Sequence, residues 1–141
     1  MGGRFAAVGG LLLFACAVAA GDDDADRGRL IGKWQPAGRE GAELWLLETV
    51  GDSLRISHSL GQKTDQIQCN IMGKDCEATV GGRKTKVSLW FNGAMLVEME
   101  TRGTDVTKRR FRVTDEDRLK LEVIPIVPAG KTEVAEYKRT K

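Results

Sequence analysis

Glycine, asparagine and aspartate interrupt this chain at short, regular intervals from Leu30 onward: Gly51-Asp52, Gly61, Met72-Gly73, Gly81-Gly82, Asn92-Gly93, Gly103, Asp115-Glu116-Asp117 and Gly130. Between these breaks apolar and polar residues alternate with period two, the pattern of a strand with one buried face. Ten candidate strands result, at 30–35, 43–50, 53–60, 64–71, 75–80, 84–91, 94–101, 106–113, 118–126 and 131–138. No helical periodicity persists beyond about three turns, which argues against a helix-rich fold. So many short strands in meander order would leave sheet edges exposed to mispairing unless the sheet closes on itself. The expectation is an all-β fold, an antiparallel up-and-down barrel of about 8–10 short strands. Its surest hairpin is "SLWFNGAMLVEM", where an Asn92-Gly93 turn would set Trp90 against Met95 and Leu89 against Leu96.

The residues ahead of this domain, 30–141, have a different character. In "MGGRFAAVGGLLLFACAVAA" a lone Arg4 precedes an apolar run from Phe5 to about Ala20. That run is too short for an untilted membrane span and has the order of a signal peptide, assigned here to 1–20. Small residues allow cleavage after Ala19 or Ala20 and would discard Cys16. The competing reading takes "LFAC" as an imperfect bacterial lipobox, with Cys16 lipidated. Either way the protein is expected to be exported, periplasmic or extracellular, with a lipid anchor as its one route to a membrane. The acidic "GDDDADRGR" that follows has nothing to bury and is expected to be a flexible linker over 21–29.

Export bears on Cys69 and Cys76, the cysteines beyond the leader, because thiols oxidise outside the cytosol. If Met72-Gly73 is a two-residue turn, Ile71 faces Lys74, Asn70 faces Asp75, and Cys69 lies directly opposite Cys76. Opposed positions have Cβ atoms about 4.5–5.5 Å apart, which a disulfide can bridge. A zinc site would want four ligands, and beside the cysteine pair the chain offers one histidine, His58. A redox pair would want Cys-x-x-Cys at a helix start, whereas "CNIMGKDC" spaces its cysteines more widely and has no helix signal. A Cys69–Cys76 staple is expected, and no metal or cofactor.

Charge narrows the partners. The 22 basic side chains stand against 20 acidic ones, and Arg4 is the one charged residue of the leader. That balance argues against a polyanion or an anionic membrane surface as the main partner. The basic stretch "KRRFRV" (108–113) splits between two strand faces, Arg110 and Arg112 on one, Arg109, Phe111 and Val113 on the other. It reads as strand charge rather than as a nucleic-acid site.

At residues 30–35 the chain reads "LIGKWQ", and Gly32-Lys33-Trp34 resembles the Gly-x-Trp that opens the first strand of lipocalins and related calycin barrels. The Thr114-Asp115 of "VTDED" resembles the Thr-Asp-Tyr turn of that family, with Glu116 at the Tyr position. The layout from Leu30 to Lys141, ending near Tyr137, is similar to small secreted lipocalin-like proteins of environmental bacteria. The resemblance implies that Trp34 plugs the closed end of a barrel, that Arg139 packs across it, and that the interior carries a small ligand.

Candidate chemistry is sparse. His58 shares a strand face with Leu54, Ile56 and Leu60, as either a hydrogen-bonded core residue or a polar anchor inside a cavity. No Gly-x-Ser-x-Gly is present, the paired cysteines are unavailable as nucleophiles, and the strand carboxylates Glu98, Glu100, Glu122 and Glu136 read as a solvated face. No enzymatic activity is expected. The Asn92-Gly93 hairpin is apolar on both faces, with Trp90, Met95, Val97 and Met99 on one and Val87, Leu89, Phe91 and Leu96 on the other. One face is core; the other lines a cavity or makes a contact. The expected function is a non-catalytic binding module for a small apolar or amphipathic molecule, with Trp45, His58, Trp90, Met95 and Met99 as the ligand-binding set. The alternative is a filled barrel that dimerises or binds an envelope protein through an outer face around Leu89, Phe91 and Leu96. A cavity of about 300 Å³ or more would favour the first reading.

Overall fold

The structure, a computed structural model, describes residue 2, residues 22–38 and residues 41–140. Apart from Gly2, the expected signal peptide, its cleavage site and Cys16 lie outside the described residues. A helix, α1 (Asp22–Arg29), precedes ten strands: β1 (Gly32–Pro36), β2 (Glu43–Val50), β3 (Ser53–Leu60), β4 (Lys63–Asn70), β5 (Cys76–Val80), β6 (Arg83–Asn92), β7 (Met95–Arg102), β8 (Asp105–Val113), β9 (Arg118–Val127) and β10 (Glu133–Arg139). These are the ten segments expected from the turn spacing, with no end displaced by more than two residues.

The strands form one antiparallel sheet in the order β4-β3-β2-β1-β10-β9-β8-β7-β6-β5. Because β1 pairs with both β2 and β10, the first and last strands close the barrel wall. One seam remains, between β4 and β5, which share no ladder pairs among the described residues. Two ties cross it: the Cys69–Cys76 disulfide, with Cα atoms 5.8 Å apart, and a hydrogen bond of 3.1 Å from the Gly81 amide to Asp65 Oδ1. The disulfide therefore forms as expected, but not across a hairpin. Cys69 pairs in the ladder with Leu54 and Cys76 with Val87, while the segment between them runs along the edge of β6. There Met72 bridges to Trp90 and the Gly73 amide donates to the Leu89 carbonyl at 2.9 Å.

A second correction concerns the hairpin of β6 and β7. Its turn residues are Gly93-Ala94 rather than Asn92-Gly93, so Asn92 pairs with Met95, Phe91 with Leu96 and Trp90 with Val97. Gly93, with φ 61°, takes the first central position, where a left-handed backbone suits glycine. The shift leaves each residue on its original face.

The stretch expected to be a flexible linker is helical. Asp23 and Asp24 lie in the first turn of α1, Arg27 and Arg29 in the last, the polarity that a helix dipole favours. Ion pairs Asp24–Arg27 (3.7 Å) and Asp26–Arg29 (3.6 Å) join successive turns. Arg27 Nε donates to the Gly93 carbonyl (2.8 Å) with its guanidinium 4.7 Å from the Phe91 ring, and Arg29 donates to the Thr114 carbonyl (3.0 Å). Composition suggested a tether because it offers no apolar face; the helix is fastened by its arginines instead.

Candidate functional site

The barrel interior is set by register. Cross-strand partners share a face, so the pairs Trp34–Trp45, Trp45–His58, Leu47–Ile56, Ile56–Ile67 and His58–Asp65 define one inner wall. Leu89–Glu98, Glu98–Arg109, Leu96–Phe111, Phe111–Leu121 and Leu119–Tyr137 define the other.

The apolar core lies toward the end beneath α1. Trp34, Leu47, Phe111 and Leu119 are fully buried, and Trp34 Nε1 donates to the Leu30 carbonyl at 3.0 Å. The Arg139 guanidinium lies over the Trp34 ring, 4.2 Å from its centroid. It also donates to the carbonyls of Ile31 (3.0 Å) and Arg29 (2.8 Å) and to the Asp117 carboxylate (3.0 and 3.2 Å). Hydrogen bonding from Arg139, aided by Arg29, holds the Asp117 carboxyl below its ordinary value. Gly32 makes the arrangement possible: its φ is 142°, and a Cβ there would stand 2.8 Å from Arg139 Nη1. The glycine of Gly-x-Trp leaves room for the arginine over the tryptophan.

Further along the barrel axis the inner face becomes polar. Trp45 stacks on His58, with centroids 3.9 Å apart and planes 14° from parallel, and meets Phe111 edge-on at 5.4 Å. One oxygen of Glu43 accepts from the Tyr137 hydroxyl (2.8 Å), His58 Nε2 (3.0 Å) and Trp45 Nε1 (3.2 Å). Burial would raise the Glu43 pKa, but these donors and His58 outweigh it and hold the carboxyl below its ordinary value. On the β7–β8 wall Arg109 Nη1 donates to Glu98 (3.1 Å) and to Glu100, while Arg102 donates to Glu100 at 3.3 Å. Glu98 is 3% exposed. Burial, reinforced by Glu100 and only partly offset by Arg109, pushes its carboxyl up to about 7.

Two spaces flank this polar belt. One of about 210 Å³ is bounded by Trp45, Ile56, His58, Ile67, Glu98 and Arg109, and reaches Asp65 and Val80 at the seam. The other, of about 270 Å³, is bounded by Glu43, Leu121, Val123 and Tyr137. Trp45, His58 and Arg109 face both and form the partition between them. Each lies just below the usual ligand-pocket range of about 300–1,000 Å³.

This architecture has counterparts among solved structures. The chain superimposes on the REP1-NXSQ fatty acid transporter with a TM-score of 0.68 at 20% identity, covering 81% of this chain and 98% of that one. Fatty-acid-binding protein 1 of Echinococcus granulosus gives 0.68 at 13%, covering 81% and 99%. A secretory abundant heat soluble protein of Ramazzottius varieornatus gives 0.68 at 12%, covering 79% and 96%. The fold is calycin-like. No family model and no curated protein matches the sequence, and at these identities the likeness is one of fold alone.

Within this calycin-like barrel the residues singled out from sequence divide. Trp34 and Arg139 meet at the sealed end, and Trp45 and His58 meet in the polar belt. Trp90, Met95 and Met99 do not join them. They lie on the outer face of β6 and β7, where Trp90 pairs with Val97 and Met99 with Ser88 and Lys108, and none of the three borders either interior space. Period two does not say which apolar face of the hairpin turns inward, and the register turns Leu89 and Leu96 inward instead. The corollary overturns the interaction surface as well: Leu89 and Leu96 are fully buried and face inward with Phe91, so they are not an outer contact face.

The residues that sequence reasoning passed over are Glu43, Glu98, Glu100, Arg102, Arg109 and Tyr137. A signal was present. Once Val87, Leu89 and Leu96 are assigned inward, period two places Glu98 and Glu100 inward too. Arg109, sharing its face with Phe111 and Val113, then stands ready to meet them.

Proposed function

We propose that this protein is an exported, non-catalytic barrel that holds a small amphipathic molecule in the space between the Trp45–His58 pair and the Glu98–Arg109 wall. One observation carries the reading: an interior with apolar sides and buried, hydrogen-bonded polar groups, flanked by two spaces. A filled core would have no reason to bury two glutamates and an arginine, since such groups cost several kcal/mol each to desolvate. The names of similar structures agree in kind, one a fatty acid transporter and another a fatty-acid-binding protein of Schistosoma mansoni in complex with arachidonic acid. Export is supported by the charged-apolar-small order of residues 1–20.

Two measurements test this. Native mass spectrometry of protein purified from its own host should show a copurified small molecule, and the mature mass should lack about twenty residues. A diacylglycerol increment would assign Cys16 as the processing site. A neutral solvatochromic dye should brighten on the folded protein and be displaced by short-chain amphiphiles. Trp45→Ala should weaken that binding at least about tenfold, whereas Trp90→Ala, on the outer face, should leave it within about twofold. Absence of any competable signal would favour the filled barrel.

A further inference from the structure

The near balance of 22 basic and 20 acidic side chains conceals how the fold sorts them. Glu43, Glu98 and Glu100 turn into the barrel, and Asp23, Asp24 and Asp26 are gathered on α1 at the sealed end. The outer face of β6, β7 and β8 is left with basic charge alone. Register places Lys84 and Lys86 of β6 on it together with Lys108, Arg110 and Arg112 of β8, and no acidic residue of these three strands shares that face. Of these cations Arg110 alone has a carboxylate partner among the described residues, Glu122 at 2.7 Å. Glu122 on β9 and Glu77, opposite Lys86 on β5, bound the patch on its two sides. The opposite wall is different: the outer positions of β2, β3 and β4 hold one ion pair, Glu48–Arg55 at 3.7 Å, among leucines, hydroxyls and amides.

The cationic face also carries apolar surface. Trp90, Met95 and Met99 are half-buried on it, and Met72, bridged to Trp90, is 74% exposed. Unpaired ammonium and guanidinium groups beside a reachable indole and flexible thioethers are complementary to a surface that is anionic outside and apolar beneath. A soluble polyanion would engage the cations and leave Trp90 and Met72 in water. We propose that this face docks on anionic phospholipid bilayers, with the outer side of β6–β8 against the headgroups and Trp90 and Met72 entering the interface. The docking is independent of what the chamber holds and of any lipid on Cys16. Because the opposite wall is nearly uncharged, attachment is by this one side.

The experiment is cosedimentation of the leaderless, oxidised protein, which carries no lipid, with vesicles of phosphatidylcholine alone or containing about 30% phosphatidylglycerol. At about 50 mM salt, partitioning should be at least about tenfold stronger onto the anionic vesicles, and it should weaken at least about fivefold at about 300 mM. Lys86→Gln with Lys108→Gln should weaken it about tenfold or more, each cation near the surface being worth about fivefold. Lys33→Gln with Arg55→Gln, outside β1 and β3, changes the net charge equally and should stay within about twofold. Brominated lipids should quench the fluorescence of the bound wild type, and Trp90→Phe should abolish that quenching, since Trp34 and Trp45 are buried. No sedimentation with anionic vesicles, equal partitioning onto neutral ones, or equal losses in the two double variants overturns the docking face. If sedimentation depends on charge while brominated lipid leaves the wild type unquenched, the face is a soluble-polyanion site and the bilayer assignment falls. Lipid composition and quenching of the wild type decide without any variant, and none of these outcomes bears on dye binding in the chamber.

Discussion

The two halves of the barrel interior are built from the same alternating strands and solve opposite problems. At the sealed end the buried side chains are apolar, and the charges that organise it, Arg29, Asp117 and Arg139, stand at the solvent edge as a lid over Trp34. In the chamber the charges are inside, where Arg109 pairs with both Glu98 and Glu100. The sealed end should behave as a packing unit whose stability varies with pH only through Asp117 in its lid. The chamber should behave as an ionic unit whose stability depends on pH.

Trp34→Ala is expected to have the largest effect. Removing a fully buried indole typically costs about 3–5 kcal/mol, and here it also strips the Leu30 carbonyl of its donor and Arg139 of its ring. Urea titrations should show the same loss at about pH 5 and pH 8. A loss no larger than that of Trp90→Ala on the outer face would erase the distinction between plug and wall.

Arg109→Met should cost nearly as much, about 3 kcal/mol near pH 8, because it strands Glu98 and Glu100 without their shared donor. Unlike the loss at Trp34, this one should shrink on acidification, since protonating both carboxylates removes the unpaired charge. A pH-flat cost for Arg109→Met would show that the chamber is as well packed as the plug.

Legibility from sequence followed the same division. All ten strands and the disulfide could be read because turn residues and period two are local signals. Trp34 and Arg139 could be read because a short motif marks them. The chamber was harder, since period two says which residues share a face but not which face turns inward. On β6 and β7 both faces are apolar, so hairpin chemistry does not tell them apart. The same ambiguity placed Met99 in the site and left Glu98 and Glu100 in solvent, an inversion of what their register imposes. The helix at 22–29 was missed for another reason: apolar periodicity detects helices that bury a face, and α1 is held by Arg27 and Arg29.

The seam between β4 and β5 offers a smaller perturbation, since its disulfide lies between plug and chamber. Reduction, or Cys69→Ser with Cys76→Ser, should lower stability by about 2–3 kcal/mol through loop entropy. The barrel should persist, because β1–β2 and β1–β10 pairing and the Asp65–Gly81 bond remain. Since Asp65, Ile67 and Val80 border the chamber at this seam, ligand exchange should accelerate on reduction. Stopped-flow dye release with and without reductant measures it, and unchanged rates would place the access route at another part of the barrel.

The smallest effects should come from two conservative carboxylate changes of opposite sign. Asp117 has its pKa lowered by Arg139 and Arg29, so its contribution to stability is present above its unfolded value and lost as pH falls through the folded one. Asp117→Asn should destabilise near pH 7 and make no difference in acid. Glu98 is the reverse: its pKa rises from 4.5 to about 7, so its folded-state ionisation removes stability progressively between those limits. Glu98→Gln should leave stability unchanged near about pH 4, where the wild-type carboxyl is protonated in both states. Near pH 8 it should gain about 1 kcal/mol, the relief of a buried charge less the weakened bond to Arg109. Thermal denaturation of the two variants across that range should give curves that diverge from wild type in opposite directions as pH rises. If Glu98→Gln instead destabilised near pH 8, the Glu98–Arg109 pair would be a net stabiliser of the empty barrel, and the chamber's charges would serve the fold as the lid over Trp34 does.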